Sequence, residues 1–243
     1  MGSLFSGIGG FDLGLERAGY EIAWQVEIDP YCQRVLAKHW PTVQRYGDIR
    51  DMDWGTVRPI DLLCGGFPCQ DLSFAGKRAG IDGERSGLWS EYLRAIVQLR
   101  PRYVLVENVP GLLSNAYMGR VLRDLAESGY DAEWRVLSAA QYGAPHLRER
   151  VWLLAYPTSQ LWNGMSTHGI WGDGCSGEKW KSRRQDFGIL PLGSRWESYQ
   201  PSICRTDDGL SSRLDRMKSL GNAIVPQIAE ALGRMILASG RGA

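Results

Sequence analysis

"SLFSGIGGFDLGL" (residues 3–15) is the stretch whose reading decides the fold. It runs as a short apolar strand, a glycine-rich turn and the start of a helix. Glycines at such a turn let a ligand approach the backbone and lie at a helix N-terminus. The pattern is not a full GxGxxG, and about half of such turns are merely tight turns.

Outward from this turn, apolar strands alternate with amphipathic helices through residue 156. The strand candidates are 3–5, 21–27, 60–66, 103–108, 132–138 and 150–156, with a further short one at "GDI" (47–49). Helical patterns fill 11–19, 30–40, 89–99 and 118–129. This alternation predicts an α/β fold: a mostly parallel, Rossmann-like sheet with helices on both faces. The strands are continuously apolar rather than alternating, as burial on both faces requires. The last two strands are close together and suit an antiparallel edge. From about 157 the texture changes to Gly, Ser and Trp without a sustained period, and a helical pattern returns after Pro226.

Composition narrows the classes. Hydrophobic content of 44% and charged content of 23% are those of a globular chain. No apolar stretch nears the roughly 20 residues that span a bilayer, so no membrane partner is expected. The five cysteines (32, 64, 69, 175, 204) include no CxxC pair, and the three histidines are scattered. No metal site or disulfide framework is expected, and a cytoplasmic location is. A net charge of +1 gives no global nucleic-acid signature, but basic residues cluster at 77–85, 146–150 and 178–184.

Glu27 ends the second strand, 20 positions after Gly7, where a carboxylate reads as a ribose partner. Asp48 follows at the end of the next short strand. Together with the glycine turn they suggest an adenosine-containing cofactor. "GGFPCQDLSFAG" (65–76) then places Cys69 just past the fourth strand, on the ligand-binding edge of an open sheet. Position alone favours a packed cysteine, which is also the reading for Cys64 inside the apolar run. Two neighbours shift the balance toward a nucleophile. Glu107 ends the adjacent strand, where burial would raise its pKa and make it a proton donor. Arg148 and Arg150 in "HLRER" suit a phosphate or a base carbonyl. A thiol, a carboxylic acid and an adenosine cofactor fit methylation of cytosine carbon 5, which needs thiolate attack at carbon 6 to become nucleophilic.

Eight segments, in order, resemble the motifs of the carbon-5 DNA cytosine methyltransferases: "SLFSGIGGFDLGL", "VEIDPYC", "GDIRD", "GGFPCQDLSFAGKRAG", "RSGLW", "VLVENVPGL", "QYGAPHLRERVWLLA" and "SLGNAIVP". The resemblance implies an S-adenosylmethionine-dependent enzyme acting on a cytosine flipped out of double-stranded DNA. Cys69 would be the nucleophile and Pro68 would shape its loop. Glu107 would contact ring N3 and the exocyclic amine, and Arg148 and Arg150 would secure the base and its phosphate. Phe5, Gly7, Gly9, Glu27, Ile28, Asp48, Ile49, Leu88 and Asn222 would touch the cofactor. The loop 70–87 would close on DNA, with Gln70 and Ser73 bracing the vacated site and Lys77, Arg78 and Arg85 near the phosphates.

The implied organisation is a catalytic and cofactor domain at 1–156, a short target-recognition region at 157–209 and a returning segment at 210–243. In the recognition region Lys179, Lys181, Arg183 and Arg184 are expected phosphate contacts, while Trp162, Trp171, Trp180 and Trp196 anchor a small core. Its shortness resembles compact prokaryotic or phage enzymes and implies a short recognition sequence. His146 stands where the family has Gln, and the first strand reads as clipped, at a cost to stability more than activity. A monomer is expected, with a cognate restriction endonuclease acting separately. The alternatives are a tRNA cytosine methyltransferase, against which the Pro-Cys-Gln loop argues, and a non-catalytic DNA- or cofactor-binding homologue.

Overall fold

A computed structural model describes residues 1–68, 87–158 and 219–240. Its strands are β1 (Gly2–Leu4), β2 (Trp24–Val26), β3 (Gln44–Tyr46), β4 (Leu62–Gly65), β5 (Tyr103–Asn108), β6 (Tyr130–Ser138) and β7 (Glu149–Pro157). The helices among the described residues are α1 (Gly10–Ala18), α2 (Pro30–His39), α3 (Gly87–Leu99), α4 (Asn115–Glu127) and α5 (Pro226–Gly240). The strands form one sheet in the order β3-β2-β1-β4-β5-β7-β6. The first five are parallel, β7 runs antiparallel to β5, and β6 closes the edge antiparallel to β7. This is a Rossmann-like sheet, with the expected antiparallel edge.

Side chains alternate between two cores. Leu63, Val104, Val106, Leu153 and Ala155 face the side covered by α3 and α4. Leu62, Cys64, Leu105, Trp152 and Leu154 face the side covered by α1 and α5. In the central strands each residue therefore meets an apolar layer whichever way it points. This is why β4 and most of β5 and β7 read as apolar runs, while the edge strands β3 and β6 are part-exposed and mixed. Cys64 is fully buried in the second layer, as expected.

Two glycines allow α1 and α5 to touch. A Cβ on Gly14 would stand 2.3 Å from the carbonyl oxygen of Pro226, and one on Gly233 would stand 2.7 Å from Leu15 Cδ2. Helix α5 begins on Pro226 as predicted, because a first-turn proline gives up no intrahelical hydrogen bond.

The expected strand at 47–49 is corrected: β3 lies at Gln44–Tyr46, and Ile49–Asp51 form a 3₁₀ turn. Asp48 causes the turn, accepting a hydrogen bond from the Arg50 backbone N–H at 2.9 Å and diverting the chain from extension.

Candidate active site

The described candidate residues of the cofactor turn and Glu107 gather at the C-terminal edge of the parallel strands. There β1 leaves the sheet through three left-handed residues, Phe5 (φ 51°), Gly7 (φ 56°) and Gly9 (φ 88°). The two glycines do different work. Nothing lies within 4 Å of where a Gly7 Cβ would be, so its approach to the edge is open. A Cβ on Gly9 would stand 2.4 Å from the Trp40 ring, so this glycine makes room for packing.

Glu27, just past β2, holds the turn in shape. Its two carboxyl oxygens accept from the Gly7 and Asp29 backbone N–H groups, each at 2.7 Å. Burial raises its pKa, and the backbone donors oppose that shift. Asp29 in turn caps α2 by accepting from the N–H groups of Tyr31 and Cys32. Beside them Ile28 is 61% exposed, an apolar side chain left uncovered next to a carboxylate. Asp48 is half-buried and tied to the Arg50 guanidinium, whose hydrogen bonds hold its carboxyl below the usual range. Ile49 is buried beneath it, and its carbonyl accepts from Arg94 of α3 at 3.0 Å.

The residues fit an adenosyl cofactor. The open face at Gly7, the exposed Ile28 and the half-buried Glu27 carboxyl offer backbone room, an apolar face and a hydroxyl acceptor side by side. Each Glu27 oxygen retains a lone pair beyond its backbone bond.

An aromatic cluster links this corner to the strand that leads to Cys69. Phe5 stacks on Tyr92 at 6.3 Å, Tyr92 meets Phe67 edge-on at 6.4 Å, and Phe67 packs on Trp89 at 5.3 Å. Asn108, at the end of β5, donates to the Phe67 carbonyl at 3.1 Å and accepts from the Val109 N–H at 2.8 Å. Phe67 is thus fixed immediately before the exposed Pro68. Asn108, Tyr92 and Trp89 were not among the predicted site residues. The polar residue ending a buried strand was the readable signal for Asn108. The aromatic contacts are long-range and had none.

Glu107 lies one residue before Asn108 and is 8% exposed. Arg150 is its diagonal neighbour on β7, with Nε 3.1 Å from Glu107 Oε1. Burial pushes the Glu107 pKa up to about 7, although Arg150 and Arg148 both pull it down. The carboxyl therefore exchanges its proton near neutrality, the property a proton donor needs. Gly66 lets β4 pass closely, since a Cβ there would stand 3.1 Å from Glu107 Oε2.

Arg148 has φ 33° and donates to two backbone carbonyls, Gly221 at 2.8 Å and Ala223 at 2.6 Å. The exposed Asn222 sits between them. Leu88 is half-buried in the first turn of α3. Cys69, Gln70, Ser73, Lys77, Arg78, Arg85, Lys179, Lys181, Arg183 and Arg184, with the four tryptophans of the recognition region, lie outside the described residues. Among the described residues no group of three or more His, Cys, Asp or Glu could hold a metal. No helix among them is long and apolar enough to cross a membrane.

Residues 1–184 match the family model described as C-5 cytosine-specific DNA methylase. The chain belongs to this family. It is 41% identical over 160 residues to the Type II methyltransferase M2.BsuMI of Bacillus subtilis (strain 168), the match covering 63% of this chain and 41% of that protein. It is 40% identical over 161 residues to the Type II methyltransferase M.Eco47II of Escherichia coli, covering 63% and 38%. The chain thus spans about two fifths of the length of these relatives. Among solved structures it resembles an E. coli prophage protein assigned as a DNA modification methyltransferase, with TM-score 0.59 and 27% identity over 72% of this chain and 50% of that one. The S. pombe Dnmt2 methyltransferase shares the fold, with TM-score 0.57 at 22% identity over 82% of this chain and 62% of that one.

Proposed function

We propose that the chain is a DNA (cytosine-5-)-methyltransferase, transferring a methyl group from S-adenosylmethionine to carbon 5 of a cytosine flipped out of duplex DNA. The observation that carries the reading is Glu107: a carboxyl buried at the strand edge, titrating near 7, beside Arg150 and next to the strand that leads into Cys69.

When bound, the cofactor supplies an electrophilic methyl group on a sulfonium. Glu27 would orient it by accepting from its hydroxyls, Ile28 would give it an apolar face, and the Gly7 backbone would admit it closely. The Cys69 thiolate attacks carbon 6 of the cytosine, forming a sulfur–carbon bond. Protonated Glu107 bonds ring N3 and hands over its proton as the ring gains electron density. Carbon 5, now an enamine carbon, would take the methyl group as its bond to the sulfonium sulfur breaks, with the thioether S-adenosylhomocysteine as the leaving group. Loss of the carbon 5 proton returns the electron pair to the ring, re-forms the double bond and expels the thiolate. As the ring re-forms, N3 returns its proton to Glu107, and Arg150 stabilises the carboxylate for as long as it lacks that proton.

The reading has a monomer acting on double-stranded DNA in the cytoplasm, alongside a separate restriction endonuclease, as the Type II names of the relatives suggest. Bisulfite sequencing of DNA from a host without cytosine methylation tests it. Expression of the wild type should protect cytosines within one sequence context, and Cys69→Ala should protect none. Protection by both, or by neither when both are soluble, would contradict the proposal; methylated tRNA with unmethylated DNA would move the substrate to RNA.

A further inference from the structure

We infer that Arg148 is a positioning residue that builds the cofactor site: its guanidinium clamps the turn carrying Asn222 and couples the cofactor corner to the base corner. This rests on the function proposed above.

The sequence places Arg148 at the base or its phosphate, yet both terminal nitrogens donate within the chain. They donate to the carbonyls on either side of Asn222, at 2.8 and 2.6 Å. A planar fork suits two carbonyls two residues apart, where a lysine reaches one. Arg148 itself is held firmly: its φ of 33° is left-handed, and the Leu147 carbonyl beside it accepts from the Ala139 N–H at 2.7 Å. A non-glycine residue keeps such a conformation only where its surroundings fix it.

The clamped segment crosses the whole site. Ser219 Oγ lies 3.5 Å from Cys32 Sγ, in the first turn of α2, the helix that Asp29 caps. Ile224 runs against the start of α1, where a Cβ on Gly10 would stand 2.5 Å from the Ile224 oxygen. The Ile224 side chain reaches toward Gly66, where a Cβ would be 3.7 Å from its Cδ1 and 3.1 Å from Glu107 Oε2. One strip of chain thus touches α2, α1 and the Glu107 corner, and the contacts of Arg148 fix the turn in its middle. Arg150, in contrast, faces Glu107 and donates to the Glu149 carbonyl at 2.7 Å.

The role predicts an effect without DNA. Calorimetric titration with S-adenosylhomocysteine, on wild type, Arg148→Ala, Arg148→Lys and Arg150→Ala, separates the clamp from a base contact. Arg148→Ala should weaken binding about tenfold or more, the loss of two charge-assisted bonds. Arg148→Lys should recover part of it, and Arg150→Ala should stay within about twofold. Asn222→Ala should cost much less in the Arg148→Ala background than in the wild type, since both act through one turn. A melting curve for each variant shows that it is folded, and the lysine form serves if the alanine form is not.

Wild-type affinity in Arg148→Ala, or equal losses in Arg148→Ala and Arg150→Ala, would overturn the inference. Failure of the wild type itself to bind would overturn both the inference and the proposed function, and so identifies itself.

Discussion

Arg150 Nε lies 3.1 Å from Glu107 Oε1, and the Glu107 carboxyl still holds its proton up to about pH 7. Burial outweighs two nearby guanidinium groups. An acid raised from 4.5 to about 7 binds its proton more tightly folded than unfolded. The folded state is therefore favoured by this group below pH 4.5, and the advantage is lost as pH rises to about 7. Relative to Glu107→Gln, wild-type stability should fall by on the order of 3 kcal/mol across that window and then level off. Urea titrations at several pH values measure it. Since kcat/KM reports the free enzyme, wild-type activity should also decline on the alkaline side with an apparent pKa near 7. A flat difference in stability and no such limb would contradict a protonated Glu107.

Gly7 and Gly9 should separate binding from packing. Gly7→Ala places a methyl in open space at φ 56°, costing about 1–2 kcal/mol of backbone strain. It should weaken S-adenosylhomocysteine binding about tenfold or more by occupying the face the cofactor needs. Gly9→Ala drives a methyl into Trp40 at φ 88° and should cost about 2–4 kcal/mol of stability. Denaturation midpoints beside ligand titrations read the two effects. Unchanged affinity in a folded Gly7→Ala would remove the cofactor from this turn.

The seam between α1 and α5 makes a third test. Gly14→Ala meets the Pro226 carbonyl, a backbone atom that cannot turn aside, and should cost about 2–3 kcal/mol. Gly233→Ala meets side-chain atoms of Leu15 and Ala18 and should cost about 1 kcal/mol. Because α5 follows directly on the clamped strip, a folded Gly14→Ala should also bind S-adenosylhomocysteine more weakly. Equal costs for the two substitutions would mean that the seam relaxes freely.

Strand β5 was readable to the residue, because the apolar run 103–106 is buried on both faces and its two polar residues, Glu107 and Asn108, mark where it reaches the sheet edge. The turn at Asp48 was misread because a side-chain cap competes with extension, and "GDI" carries no apolar signal strong enough to separate the two. Glu27 and Glu107 were legible as acids ending strands, and the fold puts both at one edge. The division of labour between Gly7 and Gly9 was not legible, since it depends on Trp40, a ring 31 residues further on. The partners of Arg148 lie 73 and 75 positions away, beyond any local pattern.

Covalent trapping tests the central claim most directly. The wild type, incubated with S-adenosylmethionine and duplex DNA carrying 5-fluorocytosine at the methylated position, should form an adduct that survives denaturing electrophoresis. Fluorine at carbon 5 cannot leave as a proton does, so the thiolate is not expelled. Digestion should place the adduct on Cys69, and Cys69→Ala should form none. A wild type that binds both cofactor and DNA yet forms no adduct, or an adduct that persists in Cys69→Ala, would contradict the mechanism.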